Sequence, residues 1–91
     1  MLERTIENKV CKWAKDNEFM VIKFTPKGER GWPDRIFISP SGVHIWIEFK
    51  APGKKPRPLQ CYRMSCLVSQ GVLTDWFDCP NKAIDRLKAL V

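Results

Sequence analysis

Asp34, Glu48 and Lys50 are the residues whose types and spacing could do chemistry in this sequence. Asp34 stands in Gly31-Trp32-Pro33-Asp34-Arg35, at the start of an apolar run. Glu48 and Lys50 close the next such run, Ile45-Trp46-Ile47-Glu48-Phe49-Lys50. In a strand, residues i and i+2 share a face, so Glu48 and Lys50 project together and Phe49 projects away from them. If the two runs pair as an antiparallel hairpin, the beginning of the first meets the end of the second. Two carboxylates and an ammonium then converge on one spot. Magnesium and manganese prefer carboxylate, carbonyl and water oxygens, and Asp34, Glu48 and the backbone carbonyl of Phe49 would supply them. Such an ion polarises a phosphoryl oxygen and activates water. Lys50 would orient that water or stabilise charge developing on the phosphate. Glu7, on the first helical stretch, would hold a further water, and Gln60 would position water or a phosphate. The chemistry this points to is phosphodiester hydrolysis. Taken singly, each residue also has a plain structural reading: Asp34 as a strand start, Glu48 and Lys50 as a solvated strand-end pair worth little, Glu7 as a helix-surface acid.

The elements that must position these groups follow in order. Residues 2–17 read as a helix, with Leu2, Ile6, Val10, Trp13 and Ala14 forming one apolar stripe. Residues 19–24 are strand-like. Residues 25–32 contain Pro26, Gly28 and Gly31 and read as a loop. Residues 34–38 and 43–50 are the second and third strands, joined by a turn at Pro40-Ser41-Gly42. Residues 51–58, Ala-Pro-Gly-Lys-Lys-Pro-Arg-Pro, form an extended basic loop. Residues 59–70 return to helical periodicity, with Gly71 as the expected cap. Residues 72–77 are a fourth strand, and Pro80 starts a last helix. The predicted architecture is α/β, a small mixed sheet flanked by helices, in one domain spanning 1–91. The last strand follows a crossover helix, which favours a parallel pairing.

The bulk numbers narrow the partners. The chain has 91 residues, a net charge of +6 and 44% apolar residues, which suits one modest globular core and a polyanionic partner. No apolar run approaches the roughly 20 residues of a membrane span, and the first residues lack the apolar core of a signal peptide. The cytoplasm is the simplest compartment. Four cysteines and one histidine lack the paired spacing of a zinc site and read as reduced, mostly buried residues. Lys54, Lys55 and Arg57, on a loop stiffened by prolines, are the expected phosphate contacts. Lys27, Arg30 and Arg35 are further nucleic-acid candidates. Arg35 alternates to the face opposite Asp34, which favours a structural or phosphate-binding role over catalysis. Trp32, in the loop beside the acids, could wedge against a distorted duplex.

The spacing Pro33-Asp34, thirteen residues, Glu48-Phe49-Lys50 resembles the PD-(D/E)xK nuclease superfamily. With Ile6-Glu7, Lys23-Phe24, Gly31-Trp32-Pro33-Asp34-Arg35, Glu48-Phe49-Lys50-Ala51-Pro52-Gly53 and Gln60, the chain looks most like the VRR-NUC family, across nearly its whole length. That resemblance implies a restriction-endonuclease-like αβββαβ core and a metal-dependent phosphodiesterase site. It implies Asp34 and Glu48 as ligands of Mg2+ or Mn2+, Lys50 as catalytic, and Glu7 and Gln60 in support, with Glu3 one turn away as an alternative to Glu7. Stand-alone members, typical of phage and bacterial genomes, look similar to archaeal Holliday-junction resolvases, which work as homodimers. The expectation is therefore a structure-selective DNA endonuclease, homodimeric and acting on four-way junctions in a bacterial or phage-infected cell. An exposed apolar face on the last strand or last helix is the expected dimer contact. A flap, nicking or restriction-type nuclease with the same site, and a non-catalytic DNA-binding module, are the rival readings.

Overall fold

A computed structural model describes residues 1–91. The elements are α1 (Glu3–Asp16), β1 (Met20–Lys23), β2 (Arg35–Ile38), β3 (His44–Phe49), α2 (Pro58–Ser69), β4 (Thr74–Phe77) and α3 (Pro80–Lys88). They form one sheet of order β1-β2-β3-β4. The first two pairings are antiparallel and the third, β3 with β4, is parallel. This is the mixed α/β architecture the sequence predicts, including the parallel strand after the crossover helix.

The predicted strand at 19–24 starts one residue late because the Phe19 N–H donates to the Ala14 carbonyl at 2.9 Å. Phe19 therefore still closes α1. The strand predicted at 72–77 starts two residues late for a similar reason. Gly71 takes a left-handed φ of 81°, and the Val72 N–H returns to the Leu67 carbonyl at 3.0 Å. The end of α2 is thus wrapped before the chain extends.

The alternation of β2 and β3 separates two faces. Phe37, Ile45, Ile47 and Phe49 point to one side, where they are buried with Ile6, Val10 and Ala14 of α1 and Ala83 and Leu87 of α3. This is the core. Ile36, Trp46 and Glu48 point to the other side, where α2 lies. Two expectations fail here. The apolar side of α3 is not a free contact surface, because Ala83 and Leu87 are spent against α1 and the sheet, and β4 is half-buried along its length. The cysteines are all free, but only Cys11 is buried; Cys61 is exposed, and Cys66 and Cys79 are half-buried. Exposed apolar residues instead occur on α2, at Leu59, Tyr62 and Val68, and on the edge strand β1, where Met20 and Ile22 remain 60% and 38% exposed.

Candidate active site

Pairing of Arg35 with Ile47 means that one further step of antiparallel register sets Asp34 opposite Glu48. The Phe24 N–H donates to the Asp34 carbonyl at 2.8 Å, so Asp34 is anchored to β1 on its other side. The hairpin thus delivers both carboxylates to the same end of the sheet. Glu48, although charged, is only 7% exposed. Its Oε2 lies 3.7 Å from the Lys50 Nζ and accepts a hydrogen bond from the Gln60 Nε2 at 3.2 Å. The backbone N–H of Arg57 donates to the Gln60 Oε1 at 2.8 Å. A backbone N–H can only donate, so the amide oxygen must face Arg57 and the amide nitrogen must face Glu48. Gln60 is therefore a committed donor to this carboxylate.

The electrostatics show an acid pair short of positive charge. Burial pushes the Glu48 carboxyl up to about 7, and the charge of Asp34 adds to the rise against the opposing pull of Lys50. Asp34 is also raised, first by burial and then by the charge of Glu7. Desolvation and a like charge both disfavour ionisation. A cation between the two carboxylates would relieve both.

These groups open into a cleft of about 520 Å³. Its walls carry three carboxylates, Glu3, Asp34 and Glu48, with Gln60 among them. Its rim carries Lys50, Lys54, Lys55 and Arg57, with Gly31 and Trp32 closing one side. The basic loop is itself tied down: the Gly53 N–H donates to the Asp78 carboxylate at 3.1 Å. The acid, base and amide groups singled out in the sequence thus come together, with four exceptions. Glu7 does not line the cleft; its carboxylate is paired with the Arg35 Nε, and Glu3 occupies the cleft wall in its place. Arg35 lies on the core face with its charge answered by Glu7, so of its two expected roles the structural one fits. Lys27 and Arg30 are exposed on the 25–32 loop and do not line the cleft.

Trp32 reaches the cleft as expected, but it is held rather than free. Its indole N–H donates to the Glu29 Oε1 at 3.2 Å, and Phe24 meets its ring edge-on with centroids 6.5 Å apart. The guanidinium of Arg63 sits 4.6 Å over its face. Arg63 and Glu29 received no site role from the sequence. The available signal was spacing: Arg63 lies three residues after Gln60, on the same side of α2.

Two carboxylates and a neighbouring carbonyl fit a hard divalent cation that keeps several waters. No set of three histidine, cysteine or acidic side chains encloses a point as a zinc site would. Asp34 and Glu48-Phe49-Lys50 thus stand at one end of the sheet in an αβββαβ core, the arrangement that the sequence resemblance implies. No family model matches the chain. Over 69 residues, 76% of this chain and 74% of its relative, it is 36% identical to "Putative nuclease p44" of Acyrthosiphon pisum secondary endosymbiont phage 1. A solved structure described as a VRR_NUC domain superposes with a TM-score of 0.87, covering 98% of this chain and 97% of the other at 20% identity. A second, a VRR_NUC domain protein, gives 0.78 over 100% of this chain and 88% of the other at 19% identity. The chain belongs to the VRR-NUC family of nucleases.

Proposed function

We propose that this protein is a divalent-metal-dependent DNA endonuclease that acts as a homodimer on four-way (Holliday) junctions, with 1–91 as its nuclease domain. The observation that carries the reading is the buried, charge-starved pair Asp34 and Glu48 at the floor of a cleft rimmed by Lys54, Lys55 and Arg57. Asp34, Glu48 and the Phe49 carbonyl would hold Mg2+ or Mn2+. Bound there, the ion would supply Lewis-acid polarisation of the scissile phosphate and offset the charge of the acids.

The residues of the chain do the rest. Gln60 keeps the Glu48 carboxylate oriented. Lys50 presents its ammonium from the same strand face as Glu48, where it can donate to the attacking water or to a phosphate oxygen. Hydrolysis adds that water to phosphorus and expels a deoxyribose oxygen, which leaves with the proton that the water gives up. Lys54, Lys55 and Arg57 hold flanking phosphates and position the backbone without reading bases. Glu3, rather than Glu7, is the helical acid closest to this work, because it lines the cleft.

Dimerisation is supported by the outer face of β1. Met20 and Ile22 leave it exposed and apolar. On a chain of net charge +6, an uncharged patch suits a second copy better than DNA, since like-charged protomers meet with least repulsion there. The relative from a phage supports a setting in the cytoplasm of a bacterium or a phage-infected cell.

Cleavage of an immobile four-way junction, a flap and a linear duplex in Mg2+, Mn2+ and EDTA tests the proposal. Paired, metal-dependent incisions confined to the junction are expected. Equal cutting of all three would retain the active site and discard junction selectivity in favour of a flap, nicking or restriction-type activity. Salt-sensitive binding with no product would leave a non-catalytic module.

A further inference from the structure

We infer that Arg63 is a positioning residue of this site: from α2 it fixes the loop that delivers Asp34, while Gln60, one turn earlier on the same helix, fixes Glu48. The inference rests on the reading of Asp34 and Glu48 as the metal-holding pair.

The loop at 25–33 has little support of its own. Its one internal backbone hydrogen bond, from the Glu29 N–H to the Pro26 carbonyl, is long at 3.4 Å. What holds it comes from α2. The Arg63 Nε donates to the Arg30 carbonyl at 3.0 Å. Its guanidinium lies 4.6 Å over the Trp32 ring, and its terminal nitrogen is 3.9 Å from the Glu29 carboxylate. Glu29 in turn accepts the Trp32 indole N–H. One planar group thus meets a carbonyl, a ring face and a carboxylate together, which an ammonium cannot do.

The contacts continue to the reactive acid. Trp32 packs edge-on against Phe24, and the Phe24 N–H holds the Asp34 carbonyl at 2.8 Å. Beside them Gly31, at a φ of 85°, lies so close to α2 that an added methyl would meet the Leu59 Cγ at 2.7 Å. The ion pair with Glu29 contributes little, because Glu29 is 54% exposed. The hydrogen bond and the stacked ring carry the link. α2 therefore braces, from one side, both carboxylates that the hairpin brings together.

Arg63→Met keeps the stem and removes the guanidinium, and Arg63→Lys keeps only the charge. Three readouts separate positioning from stability: Mn2+ affinity by calorimetry, acrylamide quenching of tryptophan, and kcat against KM on the junction. Both variants are expected to bind Mn2+ at least about tenfold more weakly, the scale of a lost supporting contact. Both should show greater quenching and a kcat lowered by a similar factor, with KM within about twofold of wild type. Methylguanidinium at millimolar concentration should restore part of the kcat of Arg63→Met. Wild-type Mn2+ affinity in either folded variant, or a loss confined to KM, would overturn the inference; should Arg63→Met not fold, Arg63→Lys decides. A wild-type protein that binds no Mn2+ would overturn the site reading itself and this inference with it, which separates that failure from a failure of Arg63 alone.

Discussion

The two faces of the sheet are built from different materials. On the α1 and α3 side, Phe37, Ile45, Ile47, Ala83 and Leu87 are 0% exposed, and the only ion pair at its edge, Glu7 with Arg35, is internally answered. On the α2 side the helix buries only Gln60 and Met64. Its contacts are hydrogen bonds, a stacked guanidinium and half-buried aromatics such as Trp46 against Phe24 at 4.9 Å. The first face saturates its apolar surface and carries stability. The second leaves carboxylates under-compensated and holds the proposed site. β3 serves both, because alternate residues of one strand supply Ile47 and Phe49 to the core and Glu48 and Lys50 to the site.

That division can be broken from either side. Asp34→Ala is expected to reduce junction cleavage by three orders of magnitude or more while far-UV dichroism and DNA binding stay near wild type, since the lost group belongs to the chemical face alone. Ile47→Ala should do the reverse. It should lower unfolding stability by about 2–5 kcal/mol in denaturant titrations, with the activity of the remaining folded fraction near normal. An Ile47 variant that stays stable but loses its kcat would erase the distinction.

Gly31→Ala is the sharper test of how the α2 side is assembled. The left-handed backbone and the Leu59 contact both oppose a side chain. An expected cost of about 1–3 kcal/mol should come with a fall in kcat, because the loop before Asp34 must shift. On the proposal that β1 forms a dimer contact, Ile22→Glu is expected to leave a monomer in sedimentation velocity where wild type sediments as a dimer, with little effect on the unfolding of each protomer.

A further expected effect is on pH dependence. The Glu48 carboxyl, pushed up to about 7 from 4.5, holds its proton more tightly folded than unfolded. In the metal-free protein its contribution is present in full below pH 4.5 and lost as pH rises through about 7. Wild type should therefore lose up to roughly 2–3 kcal/mol between pH 4.5 and 8 from this group. Glu48→Gln should lose less over the same range. Parallel slopes for the two proteins in urea titrations would mean that burial and the charge of Asp34 do not raise Glu48.

Much of this division was legible in the sequence, and the reason is period. Strand alternation alone put Glu48 and Lys50 on one side with Phe49 on the other, and the hairpin reading brought Asp34 to Glu48. Helical spacing placed Ile6, Val10 and Ala14 inward. What sequence could not supply was depth and rotation. Glu3 and Glu7 differ by about a turn, and only the packing of α1 decides that Glu7 meets Arg35 while Glu3 reaches the cleft. Spacing puts Arg63 on the Gln60 side of α2, but its role was not legible because its partners, Arg30, Trp32 and Glu29, lie some thirty positions away on a loop without periodicity. The mistaken dimer surface on α3 has the same origin. An apolar stripe shows that a helix must be covered, not that another helix of the same chain already covers it.

The parallel pairing of β3 with β4 also sets a timetable. Asp34, Glu48 and Lys50 all leave the ribosome within the first 50 residues, as parts of local hairpins. The apolar stripe of α1, however, is covered by α3, which follows all four strands, and α2 is locked over the carboxylates only when β4 has crossed back to β3. Non-local closure of this kind comes late in folding. A nascent chain would therefore carry its reactive side chains long before it could align them. Their alignment would wait until α2, β4 and α3 have all been made.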